Sequence, residues 1–159
     1  MDSEVPDADA LLDRVGFDAD ESVLTRRQAE VLALRERDVP QAAIADSLGT
    51  SRANISKVEA SARANVRKAR ETVAFADALA APVHVSLEPG TDLYDVPDRV
   101  YDAADAANVD VSLSAPAVMQ RVSEVGEDAV VDREVRTRLL VTVAADGDLR
   151  VRVAPGEAP

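Results

Sequence analysis

The run Gln41-Ala-Ala-Ile-Ala-Asp-Ser-Leu-Gly-Thr-Ser-Arg-Ala-Asn-Ile-Ser-Lys-Val58 leaves this chain few ways to fold. Gly49 sits between two segments of helical periodicity, where a backbone that turns sharply favours a residue free to take φ > 0. Four residues earlier Ala45 is small, as needed where two helix axes approach to about 8–10 Å. Ile44, Leu48, Ile55 and Val58 supply apolar contacts on either side. The stretch reads as a helix-turn-helix whose second helix starts at Arg52, inside a larger segment from Leu24 to Arg70.

Composition first argues against a nucleic-acid partner, because 30 Asp+Glu face 18 Lys+Arg for a net charge of −12. The distribution reverses that. Residues 1–23 hold eight acids and one base, residues 71–159 hold seventeen and seven, and residues 24–70 hold five acids and ten bases. The helix-turn-helix is the one basic island, and a local basic footprint counts for more than the total. Only Lys57 and Lys68 are lysines, while Ala, Val and Asp abound. That profile fits a high-salt cytoplasm, where surface acid keeps a protein solvated. With no cysteine, disulfides, thiol nucleophiles and cysteine-bound metals are excluded. No run approaches the ~20 apolar residues of a membrane helix, and the N-terminal Met-Asp-Ser-Glu-Val-Pro-Asp is the reverse of a secretory signal's basic start. A soluble cytoplasmic protein is expected.

Residues 1–23 carry weak pattern: Leu11, Leu12 and Val15 could line one helical turn, but a mostly disordered acidic arm is expected. Thr25 and Gln28 form a capping box that starts a helix, with Val31, Leu32 and Leu34 as its stripe and an end near Arg37-Asp38. Pro40 suits the first turn of the next helix, which ends at Leu48-Gly49. Ser51 is the expected N-cap of a third. From Ile55 the apolar residues Val58, Ala62, Val66, Ala69, Val73, Ala76 and Ala80 recur at steps of three and four, predicting one helix of about 28 residues, roughly 42 Å long. Its first turns would read DNA and its distal part would pack on something else. The helix-turn-helix domain is thus placed at 24–81.

Pro82 opens a second domain, placed at 82–153, with a frayed tail at 154–159. Val83, Val85 and Leu87 alternate as a strand; Val100, Tyr101, Ala104 and Ala107 mark a helix from about Pro97. Val109, Val111 and Leu113 predict a second strand, and Val118, Met119, Val122 and Val125 another helix. Val135, Thr137, Leu139, Val141 and Val143 predict a third strand, joined through an Asp146-Gly147 hairpin to Leu149, Val151 and Val153. The expected class is α+β: an all-α helix-turn-helix domain with a long third helix, then a small β-α-β-α-β-β domain.

An enzyme is not expected. A lone His84, no cysteine and no glycine-rich phosphate loop leave only carboxylates, whose clustering means little in so acidic a chain. His84 lies on the polar side of its strand, where a structural role is favoured over metal or proton transfer. No cofactor and no metal are expected. The loop Gly90-Thr91-Asp92 is the best small-molecule candidate, although Asp92 would repel an anion and a plain turn competes.

DNA chemistry is better supplied. Helix-turn-helix proteins lay the N-terminal part of the second helix in the major groove, which here presents Ser51, Arg52, Ala53, Asn54, Ser56 and Lys57. Arg52 can bond guanine O6 and N7, Asn54 can do the same to adenine N6 and N7, and Ala53 can meet a thymine methyl. The competing role of Asn54 is a hydrogen bond near the helix cap. Arg26, Arg27, Arg63 and Arg67 are placed for phosphates, which position without specifying.

Leu24-Thr-Arg-Arg-Gln-Ala-Glu-Val-Leu32 followed by Ile44-Ala45, Leu48-Gly49 and Ser51 resembles the core shared by LuxR-type and sigma-region-4 helix-turn-helices. Gly49-Thr-Ser-Arg-Ala-Asn-Ile-Ser56, Glu59-Ala60, Asn65, Lys68-Ala69 and Thr72 resemble the archaeal Tfx family more specifically, and Gly90-Thr-Asp-Leu-Tyr-Asp-Val-Pro97 supports that in the second half. The likeness covers about residues 24–153. It departs at Asp38, where such sequences more often carry glycine; Asp can also take a left-handed turn. The resemblance implies a DNA-binding transcriptional regulator, expected as a homodimer reading two half-sites on double-stranded DNA. Alternatives are a protein-interaction adaptor, or a ligand-sensing regulator with an effector site in its C-terminal domain.

The high-salt habitat adds a constraint. Neutralising about four phosphates gives a log–log salt slope of about −3.6, so moving from 0.15 to 3 M salt costs roughly four to five decades of affinity. Base contacts, buried interface and dimerisation would have to supply the rest, and a shallow salt slope is expected.

Overall fold

The computed structural model describes residues 4–156. The fold is α+β, a helical N-terminal region followed by a small antiparallel sheet flanked by helices. It divides into two compact units, Met1–Val73 and Ala74–Pro159.

In the first unit, α1 (Ala8–Val15), α2 (Arg26–Arg35) and α3 (Gln41–Leu48) precede α4 (Arg52–Ala80), a helix of 29 residues that runs on into the second unit. The acidic arm differs from expectation. Asp7 caps α1 by accepting the Asp9 and Ala10 amides, Gly16 ends it in the left-handed region at φ 71°, and Leu12 is buried. Two caps and one buried leucine hold eight residues in helix, although the apolar pattern there is thin. The Thr25–Gln28 capping box forms in both directions. Helix α2 ends two residues sooner than expected, at Arg35, because Asp38 turns left-handed at φ 59° and lets the Val39 amide reach Leu34 O at 3.2 Å. Val31, Leu34, Val39, Ile44, Ala45 and Ile55 form the unit's buried core.

The second unit begins at Ala74 and so includes the end of α4. The main sheet has the order β1 (Val83–Leu87), β4 (Leu139–Val143), β5 (Leu149–Val153), all antiparallel, with Val85 opposite Val141 and Val141 opposite Val151. A 3-10 turn (Leu93–Asp95) leads into α5 (Val96–Ala106), which packs on β1, while α6 (Ala115–Ser123) packs towards β5. Alternation puts Val83, Val85, Leu87, Leu139, Val141, Val143 and Leu149 into one core with Val100, Val118 and Val122. Across the sheet's other side, the last turns of α4 are tied down by Asp77 to Arg150 and by the Ala78 carbonyl to His84.

Two expected strands are corrected. Residues 109–113 form no strand: Val109 is buried and Asp110 and Ser112 are exposed, as alternation requires, but the segment crosses the β4–β5 turn instead of joining a ladder. Its Ser112 amide donates to Gly147 O (3.1 Å) and its Leu113 carbonyl accepts the Tyr101 hydroxyl (2.8 Å). The long third strand is interrupted as well. Glu134–Val135 (β3) pairs with Val130–Val131 (β2) in a separate hairpin, and Thr137, expected inward, is exposed before β4 begins at Leu139. The order is therefore β-α-α-β-β-β-β, not β-α-β-α-β-β.

Candidate nucleic-acid interface

The turn before α4 sets its outward face. Gly49 takes φ 66°, and the Thr50 amide closes back on Ala45 O at 2.9 Å. The Ser51 hydroxyl then caps α4 by accepting the Asn54 amide at 3.1 Å. Ile55 is fully buried and fixes the helix's rotation. At about 100° per residue, the positions around it turn away, and Arg52, Ala53, Asn54, Ser56 and Lys57 are all exposed.

Their partners differ. Asn54 donates its side-chain amide to the Thr50 hydroxyl at 3.1 Å, while Arg52, Lys57 and Arg67 have no ion pair among the described residues. Arg26 instead meets Asp9 of α1 at 2.7 Å, Arg27 meets Glu30 at 3.3 Å, and Arg63 meets Glu59 at 2.9 Å. Of the four arginines expected at phosphates, three therefore sit beside a carboxylate.

Glu59 was not among the candidates, yet it is the most connected polar group in the unit. It is 8 % exposed. Gln41 donates to Oε2 at 2.8 Å and Arg63 to Oε1 at 2.9 Å, joining α3 to α4. Arg35 of α2 lies 3.1 Å from Oε2, its N–H not aimed along the hydrogen-bond line, so that contact is mainly coulombic. Burial on its own would raise the carboxyl's pKa; the hydrogen bonds from Gln41 and Arg63 and the charge of Arg35 outweigh it and hold Glu59 below the ordinary 4.5. The i,i+4 spacing to Arg63 was a legible sign of this pairing.

The result is a surface without exposed acid. From Ser51 to Arg70 the chain carries six basic residues and one acid, and that acid is Glu59. Between Arg52, Lys57, Arg63 and Arg67 the exposed positions are Ala53, Asn54, Ser56, Ala60 and Ser61. Small side chains flanked by cations suit close approach of a helix to a polyanion's groove.

The loop Gly90–Asp92 in the second unit is used internally. Its Gly90 and Thr91 amides donate to Val135 O and Glu88 O, the Thr91 hydroxyl donates to Glu88 O at 2.7 Å, and Asp92 accepts the Tyr94 amide. These donors face protein acceptors rather than a ligand. His84 Nε2 lies 2.6 Å from Ala78 O. Among the described residues no group of three or more His, Asp or Glu could hold a metal, and no helix is long and apolar enough to cross a membrane.

Residues 69–151 match the family model described as DNA-binding protein, TFX, C-terminal part. A protein of the halophile Haloarcula marismortui, named for transcriptional regulation, is 53% identical over 152 residues, covering 96% of this chain and 95% of that one. A similarly named protein of Methanocaldococcus jannaschii is 34% identical over 83% of this chain and 96% of its own. The DNA-binding protein Tfx of Methanothermobacter thermautotrophicus is 30% identical over 80% and 93%. This chain belongs to the Tfx family of archaeal DNA-binding proteins.

Proposed function

We propose that the protein is a cytoplasmic transcriptional regulator that binds double-stranded DNA as a homodimer and reads sequence with the first turns of α4 in the major groove. The absence of exposed acid from Ser51 to Arg70 carries this reading: in a chain of net charge −12, the one acid of that stretch, Glu59, is buried. The family description and the relatives' names support the regulatory role.

Arg52 then bonds a guanine edge and Lys57 reaches a base or phosphate from the same face. Asn54 reads adenine only by giving up Thr50, whereas Ser51 keeps its capping bond. Ala53 and Ser56 line the floor. Arg67 takes a phosphate directly, and Arg26, Arg27 and Arg63 do so by sharing or exchanging their carboxylates. An effector at Gly90–Asp92 has less support, since the loop's donors are already engaged.

The test is a gel-shift titration on the protein's own promoter. Arg52→Ala should cost about 1–3 kcal/mol, roughly 5- to 150-fold, and relax preference at one base position. The double variant Arg52→Ala/Lys57→Ala binding like wild type would refute the reading.

A further inference from the structure

We propose that a notch beside the end of α4, formed by Phe75, Ala78, Leu79, Leu140 and Pro155, is where two copies of this chain associate, and that salt favours the association. This deepens the homodimeric reading above by naming its surface.

Phe75 and Leu79 lie one turn apart on one face of α4 and are 58% and 72% exposed. The chain has two phenylalanines and no tryptophan, so leaving Phe75 in water is a large share of its aromatic surface. Scattered exposed apolar residues are ordinary. Here they rim a concavity of about 270 Å³ whose floor is also apolar, which is the mark of an interaction site.

Charge selects the occupant. Residues 71–159 hold seventeen acids and seven bases, yet among the described residues no carboxylate lines the notch; the polar members there are His84 and Arg152. Two copies of a −12 chain meeting through an acid-bearing face would set carboxylate against carboxylate, and this face avoids that. Its shape is also suited to itself. A two-fold contact brings one patch against the same patch, and this one holds both projecting side chains and a hollow beside them.

The area sets the strength. With Ala78 buried, the exposed parts of Phe75, Leu79, Leu140 and Pro155 offer roughly a few hundred Å² per copy at most, below the ~800 Å² per partner of a standard stable interface. In dilute buffer that is too little against two like-charged copies. Raising ionic strength from 0.15 to 1 M shortens the screening length from about 8 to 3 Å and removes the repulsion, while the apolar contact persists. Dimerisation therefore strengthens with salt while phosphate contacts weaken with it.

Sedimentation equilibrium of the full chain, without DNA, at 0.2, 1 and 3 M KCl tests this. The wild-type dimer constant should fall at least tenfold across the series, and Leu79→Glu should stay monomeric throughout. Leu79→Ala should lie between, with helical circular dichroism unchanged in both variants. A wild-type chain monomeric at 3 M KCl would leave the notch to a different protein and overturn the proposal. So would an undiminished dimer in Leu79→Glu, or one that tightens as salt falls. Because no DNA is present, loss of the major-groove reading would not alter these outcomes.

Discussion

The two units meet the demands of one acidic chain with different materials. In the helix-turn-helix unit six apolar residues form the buried core, and a buried carboxylate tied to α2, α3 and α4 adds to it. In the C-terminal unit fifteen buried apolar residues surround the sheet, and the ion pairs lie at its surface. A small helical unit buries too little apolar area to dispense with polar ties. A sheet covered by two helices has area to spare. Charge is thus structural in the first unit and peripheral in the second, and the first is where charge also faces outward for a partner.

The largest effect should come from the smaller core. Ile55→Ala removes a fully buried side chain from a six-residue cluster and should cost about 2–5 kcal/mol. Both tyrosines, Tyr94 and Tyr101, lie in the C-terminal unit. Urea unfolding should therefore show the helical signal lost ahead of tyrosine fluorescence. Coincident transitions would mean that the two units unfold as one.

Gly147→Ala tests the opposite unit. Gly147 sits at φ 88°, and an added Cβ would stand 2.2 Å from Asp110 O. The strained backbone and the displaced 109–113 segment should together cost about 2–4 kcal/mol. Here the tyrosine-reported melting temperature should fall, with DNA affinity at low temperature kept.

Glu59→Gln should cost about 1–3 kcal/mol, discounted because Arg35 and Arg63 are partly in solvent. Its pH dependence has a definite sign. A carboxyl held below its unfolded value stabilises fully above that value, near 4.5, and loses the contribution as pH falls through the lower folded value. The gap in stability between wild type and variant should be flat from pH 6 to 8 and close below about pH 4.5. A gap that widened in acid would remove Glu59 from the account of the unit's stability.

What could be read from the sequence follows the range of the interactions concerned. The Thr25–Gln28 box, the Gly49 turn, the Ser51 cap and the long α4 depend on neighbours a few residues apart, and they were legible. Alternation in Val83–Leu87 and Leu149–Val153 was legible for the same reason. Alternation in 109–113 was equally clear and still misled, because a strand needs a free sheet edge and Gly147 draws the segment across a turn instead. The arm's helix rests on Leu12 finding a surface on another element, which local pattern does not contain. At the site, Arg52 and Lys57 were legible as cations on a presented face. The carboxylates beside Arg26 and Arg63 were harder to see, since Asp9 comes from another helix and the burial of Glu59 from three.

The smallest stability effect should belong to the exposed pair Asp9–Arg26. Asp9 and Arg26 are both well exposed, so their 2.7 Å contact contributes little to folding. Leu12 and the two caps hold α1 without it. Asp9→Asn should leave the melting temperature unchanged within error. Its consequence lies elsewhere: Arg26, at the start of α2, is one of the proposed phosphate contacts, and Asp9 pairs with it. Removing one negative charge beside that guanidinium should tighten promoter binding a few-fold at 0.2 M salt, and screening should erase the gain by 2 M. If affinity at low salt is unchanged, Arg26 is not a phosphate contact and the arm's acids serve solvation alone. If affinity falls, α1 positions the helix-turn-helix for DNA through this pair, and the division between structural charge inside the unit and recognition charge outside it would no longer hold.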